Sequence, residues 1–343
     1  MRLRRLGNTG TEVGAIGLGC LGMGRPHHES ARDDGWPLRI VNEALDRGGN
    51  LLDTAGFDPA GFDPAGFDPA GPRPTVLHGA GHHESLLGKA IAGRRKEAIV
   101  ATKAGAIPDG PRPRGSHRDG SPARLHRAAE ASLRRLDTDV IDLYYLHRAD
   151  LAAPLAETWG ALADLVRQGK VRWLGLSGAT VAQAREAHAI HPVTAVRSEL
   201  SLWTRDALDG GPDGLVGWCE SVGASFVPAA PLGRGFLTGT LRAGGLRSGD
   251  HRAFDPRFHR TAMEANLPIV DAIREVADRR SVTPAQVAIA WLLAQGEQVV
   301  PVPGTSNLRY LRENLAAADV RLTEQDFADL RALPDPVGAG AGP

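Results

Sequence analysis

Cysteine is almost missing from this 343-residue chain: Cys20 and Cys219 are its only two, far apart, so no disulfide framework is expected. Net charge is missing as well. Forty basic residues balance forty acidic ones, which leaves no field directed at nucleic acid or an anionic membrane. The opening MRLRRLGNTG lacks the apolar run of a signal peptide, and no later stretch is long and apolar enough to cross a bilayer. The expectation is therefore a cytoplasmic protein whose partner is a small molecule, with neither nucleic acid nor membrane; nothing fixes an oligomeric state. Tyrosine is down to three: Tyr144, Tyr145 and Tyr310. Lysine is scarce too, with only Lys89, Lys96, Lys103 and Lys170 among the forty basic residues. Where arginine has taken nearly every basic position, a lysine at the end of an apolar strand is informative, because its pKa can be tuned and that of arginine cannot.

What is present is a rhythm. Short β-rich runs alternate with helical patterns, the signature of repeated βα units. Eight strands are expected, at Ala15–Leu18, Asn50–Asp53, Ile99–Lys103, Val140–His147, Val171–Ser177, Ala195–Glu199, Ser225–Ala229 and Gln298–Val302. Helical spacing occupies Pro122–Leu136, Pro154–Gln168 and Thr180–His191, and Ser121-Pro122 and Thr283-Pro284 each read as a capping side chain before a first-turn proline. Leu3–Leu6 and Glu12–Val13 suggest a hairpin plugging the barrel floor. Thr323–Leu333 reads as an extra helix and Val337–Pro343 as a loose tail. The expected architecture is α/β, a single (β/α)8 TIM barrel over residues 1–336 with an N-terminal hairpin and an extra C-terminal helix, followed by a tail at 337–343. Two long loops interrupt the rhythm, Leu232–Asn266 and Ala55–Gly81. The second carries AGFDP three times in tandem, read as a tolerated duplication.

Three sets of residues invite chemistry. GLGCLG at Gly17–Gly22 satisfies the dinucleotide G-x-G-x-x-G string, but Gly24-Arg25-Pro26 opposes the helix that such a site needs, so a glycine-rich βα loop is favoured. HHES occurs at His27–Ser30 and again at His82–Ser85, both expected in loops on one barrel face. Adjacent histidines in one loop seldom both reach one ion, and no metal is expected. The third set is stronger. Asp53, Lys103 and His147 end three successive apolar strands, which brings an acid, an amine and an imidazole to the top of the barrel.

At these residues the chain resembles the aldo-keto reductases. The resemblance runs from RLGNTGTEVGAIGLGCLGMG to PGTSNLRYLRENLAA and includes ASLRRLDTDVIDLYYLHRAD, VRQGKVRWLGLSGA, PLGRGFLTGTLR and SVTPAQVAIAWLLAQ. It implies a catalytic tetrad of Asp, Tyr, Lys and His, of which Asp53, Lys103 and His147 supply three. The tyrosine is absent: counted from Asp53 its place holds Asp58, and if the repeats are an insertion, HGAGHHESLLG realigns so that His78 takes it. The resemblance also implies NADP(H), held by Ser177, Arg197, Leu232, Gly233, Arg234, Gly304, Arg309 and Asn314, with Arg309 and Arg312 compensating for Ser306 and Asn307 at the 2′-phosphate. Arg197-Ser198-Glu199-Leu200 stands where relatives read Q-S-E-Y, which puts a guanidinium in the place of an amide and an aliphatic side chain in the place of a stacking ring; Gly178 replaces an Asn or Glu.

The function implied is NADP(H)-linked carbonyl/alcohol oxidoreduction of a small polar metabolite, with His78 as the proton donor. Two alternatives stand beside it. One is a redox-neutral dehydratase, isomerase or cyclase using His78 and His147, in which the cofactor has been lost. The other is a nucleotide-binding regulatory or inactive partner subunit.

Overall fold

The computed structural model describes residues 1–21, 35–55, 81–108, 116–147, 153–246 and 250–338. A hairpin comes first: β1 (Leu3–Arg5) pairs antiparallel with β2 (Glu12–Gly14). The main sheet is parallel, and its strands follow the chain: β3 (Leu18–Gly19), β4 (Leu51–Asp53), β5 (Ile99–Ala104), β8 (Ile141–His147), β9 (Val171–Ser177), β10 (Val193–Glu199) and β11 (Ser225–Ala229). A small antiparallel hairpin, β6 (Ala106–Pro108) with β7 (Ser116–Arg118), sits on the loop after β5 and was not legible in the sequence.

Strand alternation divides the apolar residues into two cores. Leu51, Ile99, Ala101, Leu143, Tyr145, Ala195, Val227, Val300 and Val302 face inward, where Leu6 and Val13 of the hairpin close the floor as expected. The alternate residues, such as Leu52, Val100, Tyr144, Leu174, Val196 and Phe226, face the surrounding helices. Arg4 crosses the floor, buried, and its guanidinium donates to the carbonyls of Gly296, Val299 and Leu293.

The eighth strand departs from expectation. Residues 298–304 make only isolated bridges, Phe226↔Val299 on one side and Gly19↔Gly304 on the other. Pro301 and Pro303 are the reason, since neither has an N–H to give a ladder. Their carbonyls still accept from Gly17 N at 2.9 Å and Gly19 N at 3.2 Å, while Val300 N donates to Phe226 O at 2.8 Å, so the barrel closes through this segment. The same seam places β3 later than the expected Ala15–Leu18.

Eleven α-helices are found among the described residues: α1 (Gly35–Asp46), α2 (His82–Ile91), α3 (Pro122–Leu136), α4 (Leu155–Arg167), α5 (Val181–Ile190), α6 (Leu215–Val222), α7 (Arg260–Ala265), α8 (Leu267–Arg280), α9 (Pro284–Leu293), α10 (Leu308–Ala316) and α11 (Glu324–Arg331). Thr283 caps α9 in a capping box with Gln286 as expected, but Ser121 makes no side-chain cap on α3; Asp119 instead accepts from the Ser121 N–H at 3.0 Å. Within the expected loop 232–266, Asp250 and Asp255 each cap a short 3-10 turn and α7 follows, so the segment is built of short helices. The tail is not loose at its start. Buried Asn266 binds both backbone groups of Val337, at 2.8 and 2.9 Å. Residues 339–343 lie outside the described residues.

Candidate functional site

The inward-facing series on each strand continues past the apolar layers to its C-terminal end, and there the side chains become polar. Asp53 follows Leu51, Lys103 follows Ala101, His147 follows Tyr145, Ser177 follows Gly175, and Arg197 follows Ala195. The structure thus brings Asp53, Lys103 and His147 to one barrel mouth, as their strand-end positions imply.

Asp53 and Lys103 form a buried ion pair, Nζ donating to Oδ1 at 2.6 Å, with side chains 2% and 1% exposed. Lys103 also donates to Thr54 O at 2.7 Å. Burial lowers the ammonium to about 8, with Asp53 opposing and Arg197 assisting that shift. Burial alone would raise the Asp53 carboxyl, but the Lys103 and Arg197 charges overcome it and hold it below the usual value.

Sequence reasoning placed Arg197 with the cofactor but missed its bond to Asp53, and it missed Tyr145 altogether. Arg197 Nε donates to Asp53 Oδ2 at 2.9 Å, so one carboxylate serves two cations. Among the described residues no further hydrogen bond is made by the Arg197 guanidinium, whose terminal amino groups are left uncommitted. Tyr145 lies on the floor of the cluster, with the Lys103 ammonium 5.5 Å from its ring centre. Its ring fits because Gly175, its register partner, has no side chain: a Cβ there would come within 2.5 Å of the ring. The Tyr145 hydroxyl is buried without a partner, and burial together with Asp53 pushes it well above its ordinary pKa. The phenol is thus held in its protonated form. The signal was available, because residues 145 and 147 share a face.

The residues implied for a nucleotide lie around the same end. Ser177 pairs in register with Arg197. After β11, Gly233, Arg234 and Gly235 have φ of 55°, 53° and 99°, three consecutive left-handed residues that only glycine adopts freely. Leu232 is half-buried against the outer core, and Arg234 pairs with Asp255 at 3.0 Å. Arg257, stacked on Trp203 at 5.2 Å, ties this segment to Glu199 on β10 at 2.7 Å. Gly304 pairs with Gly19, and Asn314 is buried on α10. Arg309 and Arg312 are both engaged, with Glu313 and Glu43, each at 2.8 Å. Leu200 is buried in the outer core.

His82–Ser85 is not in a loop: it forms the first turn of α2, which the left-handed Gly81 (φ 76°) introduces. Glu84 there is buried and committed to Arg135 at 2.6 Å and Thr102 at 2.7 Å. His27–Ser30, Asp58, His78 and most of the AGFDP repeats lie outside the described residues.

The chain is similar to known proteins over nearly its whole length. A soybean (Glycine max) protein described as probable aldo-keto reductase 1 is 37% identical over 345 residues, covering 98% of this chain and 90% of its own length. A glycerol dehydrogenase from Gluconobacter oxydans superimposes with a TM-score of 0.81 at 26% identity, over 99% of this chain and 98% of that one. An aldo/keto reductase from Klebsiella pneumoniae, solved with NADP and acetate, gives 0.69 at 25% identity over 98% and 97%. The sequence pattern of the aldo/keto reductase family matches residues 15–335, and the chain belongs to that family.

Proposed function

We propose that this chain is an NADP(H)-linked oxidoreductase that interconverts the carbonyl and alcohol forms of a small polar metabolite. The observation that carries the reading is the buried Asp53–Lys103 pair at the open end of a barrel of this family. The NADP complex of the Klebsiella relative supports the cofactor assignment. The residues present fit such a cofactor: the left-handed run at Gly233–Gly235 turns the backbone into the kind of concavity that takes phosphate, and Arg197 beside Ser177 has amino groups to spare. Ser177 and Arg197 would hold the nicotinamide end, Leu232, Gly233 and Arg234 the phosphates, and Gly304, Arg309 and Asn314 the adenine end. When bound, the nicotinamide supplies or accepts the hydride.

The chain's own residues handle the proton. Asp53 fixes the Lys103 ammonium, and Lys103 with His147 presents N–H groups to a carbonyl oxygen gaining negative charge. His78, in the place that the family gives to tyrosine, donates the proton as an imidazolium, which suits its ordinary pKa of about 6.5. The test is a titration with NADPH and NADH, following reduced-nicotinamide fluorescence and thermal stability together. Micromolar NADPH binding with an altered nicotinamide signal supports the reading and leads to a carbonyl panel. No binding would sink it and leave acid–base chemistry without a cofactor.

A further inference from the structure

We propose that Arg197 makes the nicotinamide site discriminate by oxidation state, so that it takes NADPH in preference to NADP⁺. The inference rests on the cofactor assignment above and deepens it. Two geometric facts carry it. Arg197 is fixed by Asp53 through Nε at 2.9 Å, with its side chain only 16% exposed, so its charge cannot swing away into solvent. Its terminal amino groups remain uncommitted among the described residues, and Arg197 pairs in register with Ser177, at the end of the cluster assigned to the nicotinamide.

The charge balance gives the sign. Asp53 carries one negative charge against the two positive charges of Lys103 and Arg197, an excess of one in a buried site. Among the described residues, neighbouring carboxylates do not cancel it. Glu199, two residues along β10, and Asp255 are held by Arg257, and Asp255 also by Arg234, which makes two acids against two bases. Asp250 is paired with Arg252. Cys20 and Tyr145 stay neutral, since burial raises both. His147 at the same mouth adds positive charge when protonated and never negative. An oxidised nicotinamide ring carries a positive charge that the reduced ring lacks. At separations of a few ångströms and the damped dielectric of a partly buried site, one unscreened like charge weakens binding on the order of tenfold or more.

The test is equilibrium binding, not turnover: dissociation constants for NADPH, NADP⁺ and 2′,5′-ADP, by calorimetry, in the wild type, Arg197→Gln and Arg197→Lys. The expected result is NADPH bound about tenfold more tightly than NADP⁺ by the wild type. The preference should fall toward unity in Arg197→Gln and return in Arg197→Lys, with 2′,5′-ADP unaffected throughout. A wild-type ratio near one overturns the proposal whether or not the variants fold, as does an undiminished ratio in Arg197→Gln. Failure of all three ligands to bind the wild type would instead defeat the cofactor assignment.

Discussion

Arg197 and Asp53, 144 positions apart in the sequence, are joined side chain to side chain at 2.9 Å across the barrel mouth. Because Asp53 also carries Lys103, its carboxylate is, among the described residues, the one counter-charge that both cations share. Asp53→Asn should therefore cost about 3–5 kcal/mol of stability, the loss expected when a buried pair is broken from one side. Urea unfolding checks it; an unchanged midpoint would show that the cluster relaxes into water.

The Lys103 ammonium titrates near 8 in the folded protein against an ordinary value of 10.5. Between these values the unfolded chain holds a proton that the folded chain has released, so this group adds stability as pH rises through the window. Turnover in the reducing direction should move oppositely, falling above pH 8 as the ammonium is lost. Because Arg197 contributes to the lowered value, Arg197→Gln should shift the falling limb to higher pH. A limb that stays put would detach Lys103 from it.

Tyr145→Phe should preserve kcat and leave stability equal or up to about 1 kcal/mol higher, since it removes a buried hydroxyl that has no partner. A large loss of kcat would make Tyr145 a proton donor after all and would remove the need for His78.

Gly175→Val should destabilise by about 1–3 kcal/mol, because the new side chain collides with the Tyr145 ring on one side and Ala195 O, 2.9 Å from the Cβ, on the other. Thermal melting reads the loss. Gly175→Val in a Tyr145→Leu background should recover part of it.

His78→Phe should abolish turnover while the protein still melts cooperatively and binds NADPH. Retained turnover would remove His78 from the chemistry. Deleting Ala60–Pro69, two of the three repeats, should leave the melting temperature unchanged if the loop is slack.

Much of the site was readable because strand period and strand ends are local properties. Asp53, Lys103 and His147 each terminate an apolar run, and inward alternation then places them together. Arg197 was readable as a departure from its relatives, but its bond to Asp53 was not, since nothing local links β10 to β4. Tyr145 was passed over for a different reason: it looked like one more apolar strand residue, although it shares a face with His147. The expected eighth strand followed hydrophobicity and discounted Pro301 and Pro303, whose missing N–H groups reduce it to bridges. His82–Ser85 looked like loop because the glycines before it hide a helix start.

The floor contact of Arg4 sets a schedule for synthesis. Its acceptors, the carbonyls of Leu293, Gly296 and Val299, lie 289 to 295 positions downstream. At about 5–20 residues per second, a ribosome delivers them roughly 15–60 s after Arg4 itself. For that interval the hairpin has no floor to close, and its guanidinium waits in water while the strands above it assemble. The hairpin residues, made long before their partners, are thus among the last to reach their place, and the nascent barrel stays open at the bottom until residues 293–299 have emerged.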